Sequence, residues 1–331
     1  MPHSILILTD HSRHTSDNSM YDLAKALLKN KNCSSVDVAS RGMPGNHDFF
    51  IEKKSKEFQV VNVGSAFKFE SGPTAFTTKL QASHIDNYDF ILLRLPHPID
   101  PSFLNYLTSI FPEKNIVNRP SGIIDVSSKA FLMEVQELCP PMRIVENEAE
   151  VQAFAKEFPI VLKPFFGYGG AGIGKTDGKS VWMGNREVDF NHWAEVWRLH
   201  PEPYLAMEYL PGVKHGDKRV LVVNGKIMGA SLRIPPDGSW MCNVSLGGHS
   251  VYADVEPEEK EMAKILIEKL AKRGICIFGF DTLIGKEGKR VLSEVNVLSI
   301  GGIVPMEKES GRPVVQMTAD GIVDWMLGAG Y

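Results

Sequence analysis

Cysteine is scarce in this chain, with four residues among 331, and Cys33, Cys139, Cys242 and Cys276 stand far apart. No Cys-x-x-Cys and no histidine pair at zinc spacing accompanies them, which excludes a disulfide framework and a zinc ribbon and points to reduced thiols in a cytoplasmic protein. Long apolar runs are missing too. No stretch approaches the ~20 residues of a membrane span, and residues 1–10 lack the basic start of a secretory signal. Neither sign of charge dominates: 36 Lys and Arg against 40 Asp and Glu leave a net charge of -4, no field for nucleic acid or an anionic membrane. Repeats and low-complexity tracts are absent. What remains, 43% hydrophobic and 23% charged residues, is an ordinary globular composition with length for two or three domains.

The first third alternates apolar strands and amphipathic helices. Strands are expected at 4–9, 36–39, 88–95 and 116–118, with helices at 20–29 and 103–111. Such alternation predicts a small Rossmann-like α/β unit over 1–123, although no Gly-x-Gly-x-x-Gly follows its first strand and a dinucleotide site is not expected there. Residues 40–85 carry little pattern. A middle section, 124–205, contains helices near 128–138 and 191–200 around a glycine-rich stretch. The last section, 206–331, reads as antiparallel: 219–223 and 226–230 flank Asn224-Gly225, a hairpin signal. A helix over 258–273 and strands 275–284 and 290–297 follow.

Residues 163–176 read Lys-Pro-Phe-Phe-Gly-Tyr-Gly-Gly-Ala-Gly-Ile-Gly-Lys-Thr. From Gly169, Gly-x4-Gly174-Lys175-Thr176 satisfies the P-loop pattern, which needs a helix opening at Lys-Thr to receive phosphate. Downstream, however, Asp177-Gly178 is a hairpin signal between two short segments. The second reading is preferred: a strand ending in Lys163, then a flexible glycine lid at the tip of a β-hairpin, with Lys163 contacting phosphates below it.

Glu294 and Asn296 share one face of the last strand while Val295 points away, and Asp281 on the preceding strand can lie opposite. A solvated strand face is the plainer account of any one of them. The trio beside a glycine lid points instead to hard oxygen ligands for Mg2+ bridging nucleotide phosphates. Arg219 and Arg233 are open to two readings, a two-point grip on phosphate or carboxylate and a surface ion pair. Lys129, on its own, reads as a solvated helical lysine.

Together these motifs resemble the ATP-grasp fold, and more closely the bacterial glutathione synthetase family. Asn118-Arg-Pro-Ser121 with Lys129, Lys163-Pro-x-x-Gly-x-Gly-Gly-Ala171, Tyr209-Leu-Pro-x-x-x-x-Gly-Asp-Lys-Arg-Val220, Arg233-Ile-Pro, Asn243 with Gly247-Gly248, and Glu294-Val-Asn296 stand in similar order and spacing. The resemblance implies an ATP-grasp ligase behind a Rossmann-like pre-ATP-grasp domain, with the small ATP-grasp subdomain at 124–205 and the large one at 206–331. It implies that Lys129, Lys163 and the lid residues Gly167, Gly169, Gly170 and Ala171 bind ATP phosphates. Glu208, Tyr209 and Leu210 would hold adenine and Asp217 the ribose. Asp281, Glu294 and Asn296 would carry Mg2+, or Mn2+ in its place. Arg219 and Arg233 would neutralise the transferring phosphoryl group and the acyl phosphate. Arg94, Asn243, Gly247, Gly248 and Ser299 would meet the substrates, a peptide and an amino acid, in an enzyme that forms homo-oligomers.

The chain also departs from that family. Where the family runs Val-Thr-Ser-Pro-Thr after its asparagine, here stand Val297-Leu298-Ser299-Ile300-Gly301-Gly302; where it has Arg-Lys-Asp-Pro-Pro, here stand Arg94-Leu95-Pro96-His97-Pro98. The changed loop keeps open a second ligase reading, a different peptide or amino-acid acceptor. A third reading, from another class, is a P-loop switch built on 169–176. His11 and His14, in a loop shorter than usual, are expected in solvent rather than at substrate.

Overall fold

A computed structural model of the chain describes residues 1–70, 76–167, 169–184, 186–242 and 247–328, the Arg13 side chain excepted. Three sheets organise it. The first contains β1 (His3–Thr9), β2 (Cys33–Ser40), β3 (Glu57–Asn62), β4 (Gln81–His84), β5 (Phe90–Arg94) and β6 (Ile116–Val117), ordered β4-β3-β2-β1-β5-β6. β1, β2, β5 and β6 run parallel, and the apolar runs expected as strands fill the buried centre that parallel sheets require. The weakly patterned 40–85 region contains the short α2 (His47–Phe50) and the antiparallel β3 and β4, added at one edge. Around the sheet lie α1 (Met20–Lys29), α3 (Pro101–Ile110) and α4 (Pro120–Val126). β2 flanks β1 on one side and β5 on the other, so the carboxyl ends of β1 and β5 border a topological switch point, where open α/β sheets bind ligands.

The second sheet is antiparallel throughout. Its strands are β7 (Met142–Val145), β8 (Ile160–Pro164), β9 (Gly174–Thr176), β10 (Ser180–Met183), β11 (Arg186–Asp189) and β12 (Tyr204–Glu208), ordered β11-β10-β9-β8-β12-β7. α5 (Glu148–Ala155) and α6 (Phe190–Leu199) bury Phe154, Phe190 and Trp197 against Ile160, Leu162 and Ala206. β12 carries this sheet past the boundary expected at 205. The segment Lys129–Leu138, expected as an ordinary helix, is a 3-10 helix broken at Val135 (φ -132°). Tertiary bonds override its local preference: the Lys129 N–H donates to the Phe165 carbonyl, and Arg273 grips Glu134.

The third sheet has β13 (Asp217–Val223), β14 (Lys226–Ile234), β15 (His249–Ala253), β16 (Ile277–Ile284) and β17 (Arg290–Asn296), ordered β15-β14-β13-β16-β17. α7 (Pro257–Ala271) packs Met262, Leu266 and Leu270 on Phe278, Phe280 and Leu292. After α8 (Ile303–Ser310), α9 (Val314–Met326) turns back onto α1, sharing a core with Leu23 and Leu27. Asn118, following β6, joins the first and third sheets. Its Nδ2 donates to the carbonyls of Ile277 (2.6 Å) and Val297 (2.7 Å), and its Oδ1 accepts from the N–H groups of Cys276 (2.7 Å) and Ile277 (2.9 Å). Among the described residues no helix is long and apolar enough to cross a membrane.

Candidate active site

A cleft of about 460 Å³ lies between the second and third sheets. β8 and β9 form its roof as an antiparallel pair, Leu162 opposite Gly174, and the described residues 165–167 and 169–173 lie between them. Gly174-Lys175-Thr176 is therefore strand β9, and no helix opens there. This overturns the P-loop reading: the Lys175 ammonium lies over the rings of Trp182 and Tyr209, 4.9 Å from each centroid. The glycines suit a tight lid. Gly169, Gly170 and Gly172 have φ of 64°, 85° and 73°, a region that side chains disfavour, and a Cβ on Gly172 would come within 2.8 Å of the Pro164 ring.

Below the lid, Lys163 is buried and its Nζ donates to the Ser293 carbonyl at 2.9 Å. Burial lowers its pKa. Lys129 is not the solvated lysine of the plain reading: it is buried, and its Nζ bonds to the Gly167 carbonyl (2.6 Å) and to Glu294 Oε1 (3.2 Å), tying the lid to β17.

β17 is bulged. Asp281 pairs with Glu294 but Thr282 with Leu292, so Ser293 is an extra residue. The bulge shifts the alternation, letting Leu292 and Val295 both pack towards the core while Ser293, Glu294 and Asn296 line the cleft. Asp281 and Glu294 thus face each other in register, with Asn296 on the same side. Among the described residues no three His, Cys, Asp or Glu side chains form a metal site. Two carboxylates and an amide are hard oxygen donors of the kind that could hold Mg2+. The buried Asn296 Nδ2 has no hydrogen-bond partner among the described residues.

Four of the cleft's acids and bases form one network. Arg219 grips Asp281 through Nε–Oδ1 and Nη2–Oδ2, both 2.7 Å. Arg233 grips Asp217 in the same two-point manner at 2.7 Å and also donates from Nη2 to Asp281 at 2.7 Å. Burial by itself would raise the Asp281 carboxyl; the two guanidiniums outweigh it and hold it far below the usual carboxylate range. For Asp217 burial prevails over Arg233, and its pKa is raised. Apart from Glu208, which pairs with Lys286 at 2.6 Å, the cations Lys129, Lys163, Arg219 and Arg233 face Asp217, Asp281 and Glu294. The surplus positive charge suits a polyphosphate.

Tyr209, Leu210 and Ser299 also line the cleft, as do Gly167, Gly169 and Gly170. Ala171, Gly247 and Gly248 do not: Ala171 is exposed, and Gly247 sits on a separate loop beside Pro236. Asn243 lies outside the described residues. Several lining residues were not anticipated. Val161 and Leu283 were readable, since strand alternation puts them on the faces of Lys163 and Asp281. Met207, Trp240 and His97 carry no such signal. Burial, and then the nearby Lys129 charge, depress the His97 pKa to about 4.

A second cavity of about 160 Å³ adjoins the cleft through Pro96 and Ser299, with Arg94, Asp10, His14 and Ser19 in its wall. His11 and His14 are not in solvent as expected. His11 stacks on Phe76 (centroids 4.4 Å apart) and bonds Ser40 Oγ at 2.7 Å. His14 bridges Thr9 Oγ1 and Tyr21 Oη, 3.0 Å each.

The overall fold is that of ATP-grasp ligases. Across 98% of this chain and 99% of the other, the structure superposes on D-cycloserine synthetase DcsG with a TM-score of 0.64 at 12% identity. The prokaryotic glutathione synthetase ATP-grasp domain matches residues 128–311. Glutathione synthetase of Rhodopseudomonas palustris is 32% identical over 232 residues, 69% of this chain and 71% of that one. That of Neisseria meningitidis serogroup A is 29% identical over 305 residues, 88% and 92% of the two chains. The chain belongs to the prokaryotic glutathione synthetase family of ATP-dependent ligases.

Proposed function

We propose that this ligase joins γ-glutamylcysteine to glycine, using ATP and releasing ADP and phosphate. The supporting observation is the convergence of Lys129, Lys163, Arg219 and Arg233 with Asp281, Glu294 and Asn296 under one glycine lid. A carboxylate oxygen of the donor attacks the γ-phosphorus as the bond to the ADP oxygen breaks, giving an acyl phosphate. The glycine nitrogen then attacks the acyl carbon, the carbon–oxygen bond to phosphate breaks, and the amine loses a proton. Both steps concentrate negative charge where Lys163, Arg219 and Arg233 can stabilise it. Lys129 holds the lid to β17, and the closed lid excludes water that would hydrolyse the acyl phosphate.

Magnesium or manganese, held by Asp281, Glu294 and Asn296, would neutralise and align the phosphates. Residues 208–210 form the adenine subsite. The N–H groups of Glu208 and Tyr209 already donate to Pro141 and Pro159, at 2.8 Å each, so adenine is read by the other backbone atoms of that segment. The chemistry belongs in the cytoplasm, where the free cysteines stay reduced, and the enzyme acts as a homo-oligomer. The test is product mass: γ-glutamylcysteine, glycine and Mg-ATP should yield glutathione and ADP together. ADP formation with another amino acid, but not glycine, would favour a changed acceptor.

A further inference from the structure

Behind the cleft, among the apolar residues that pack α7 on the third sheet, Lys218, Glu259, Thr282 and Arg290 are buried, none more than 9% exposed. Strand alternation puts Lys218 and Thr282 on that face, since their neighbours Asp217, Arg219, Asp281 and Leu283 line the cleft. Glu259, fully buried in the first turn of α7, holds both strands at once. Its Oε1 accepts from Thr282 Oγ1 at 2.6 Å, and its Oε2 accepts from Lys218 Nζ at 3.0 Å. The same Oε2 accepts from the Glu256 N–H at 2.9 Å, which closes the capping box of α7. Lys218 Nζ also donates to the Asp254 carbonyl at 2.7 Å. Arg290 completes the group: its Nη1 donates to the Thr282 carbonyl at 3.1 Å, and its Nε stands 3.8 Å from Glu259 Oε1.

These side chains lie where the register of the site is decided. Lys218 pairs with Thr282 across β13 and β16, one step from Arg219 opposite Asp281. On the other edge of β16 the ladder slips between Asp281 and Thr282, which makes the bulge at Ser293 that turns Glu294 into the cleft. Each carbonyl beside the slip meets a side chain of β17, Asp281 through Ser293 Oγ (3.1 Å) and Thr282 through Arg290. A buried carboxylate and ammonium give little net stability over apolar residues of similar size. They do select a geometry. The carboxylate reaches Thr282 and Lys218 together only in this register, and a one-residue slip would turn a whole strand's side chains to the opposite face. Resting on the ligase reading above for what the cleft does, we propose that Glu259 is a positioning residue. From behind the sheet it fixes the register and bulge that hold Arg219, Asp281 and Glu294 for phosphoryl transfer.

Glu259→Gln keeps the side chain's size but leaves one of its two strands without an acceptor. Thr282→Val exchanges only a hydroxyl for a methyl, and it carries the test if Glu259→Gln does not fold. Both are compared with Thr282→Ser, which keeps the hydroxyl, and with Leu266→Val, which loosens the same α7 core away from the network. Below each variant's unfolding midpoint, ADP formation with γ-glutamylcysteine, glycine and Mg-ATP should fall about 10- to 100-fold in kcat for Glu259→Gln and Thr282→Val. The KM for ATP should stay within about twofold, because Lys163 and Glu208 sit on the second sheet. Fluorescent-nucleotide displacement should likewise show an unchanged affinity for metal-free ADP. Thr282→Ser should recover most of the wild-type kcat, and Leu266→Val should lower the unfolding midpoint while leaving kcat unchanged. An unchanged kcat in either folded test variant, an equal fall in Leu266→Val, or no recovery in Thr282→Ser overturns the proposal and leaves the ligase reading standing. A wild type that forms no ADP with these substrates overturns both.

Discussion

Arg219 and Asp281 lie opposite each other on β13 and β16 and are joined by two hydrogen bonds of 2.7 Å. The carboxylate proposed to hold metal is therefore already neutralised, and Arg233 adds a third bond to it. Phosphate oxygens can draw the arginines away; metal by itself cannot. Magnesium is thus expected to bind only weakly, on the order of millimolar or worse, without nucleotide, and much more tightly with ADP or ATP. Calorimetric titration of Mg2+ with and without ADP checks this. Glu294→Gln should keep the fold but lower magnesium-dependent turnover on the order of 100-fold.

The two lysines of the glycine stretch separate the lid from the discarded P-loop. Lys163 is buried in the cleft, whereas Lys175 rests on the Trp182 and Tyr209 rings. Lys163→Ala is expected to weaken ATP binding about 10- to 100-fold. Lys175→Ala should change it by less than about threefold, since it loses only cation–π contacts. A fluorescent-nucleotide titration of both variants measures the difference.

Asn118 should matter for stability beyond its size. Asn118→Leu strands two carbonyls and two N–H groups at the junction of the first and third sheets. A loss of about 3 kcal/mol or more is expected, because each buried group left unpaired costs roughly 1–3 kcal/mol. Urea unfolding, with the midpoint and slope compared with wild type, gives the value.

His14 makes stability depend on pH with a definite sign. Burial first, then the nearby His11 and Arg94 charges, push its pKa from 6.5 down to about 4, against the pull of Asp10. Between those values the unfolded chain takes a proton that the folded one refuses. This contribution is therefore full above pH 6.5, falls as pH drops towards 4, and changes no further below that. The midpoint of thermal unfolding should decline between pH 7 and pH 5 more steeply for wild type than for His14→Gln.

Many of the residues that line the cleft were legible in the sequence, because they obey local rules. Strand alternation placed Glu294 with Asn296, and the Asp177-Gly178 turn signalled a hairpin where a P-loop needs a helix. What escaped depends on contacts distant in sequence. The Ser293 bulge is fixed by pairing across to β16. The return of α9 onto α1 joins the two ends of the chain, and the 3-10 geometry of Lys129–Leu138 follows from bonds to Phe165 and Arg273. His11 and His14 sit in a polar run that gives no hint of Phe76 or Tyr21 as partners. β4 is a four-residue edge strand of mostly polar residues and β3, inside it, is only six residues long, so neither period stands out in 40–85.

The central claim is that the donor carboxylate is activated by phosphoryl transfer. The most direct measurement uses γ-glutamylcysteine labelled with 18O in its cysteine carboxylate, together with glycine and Mg-ATP. Transfer of one labelled oxygen to the released phosphate, with ADP as the other product, is the expected result. Unlabelled phosphate, or label found in AMP, would contradict an acyl phosphate.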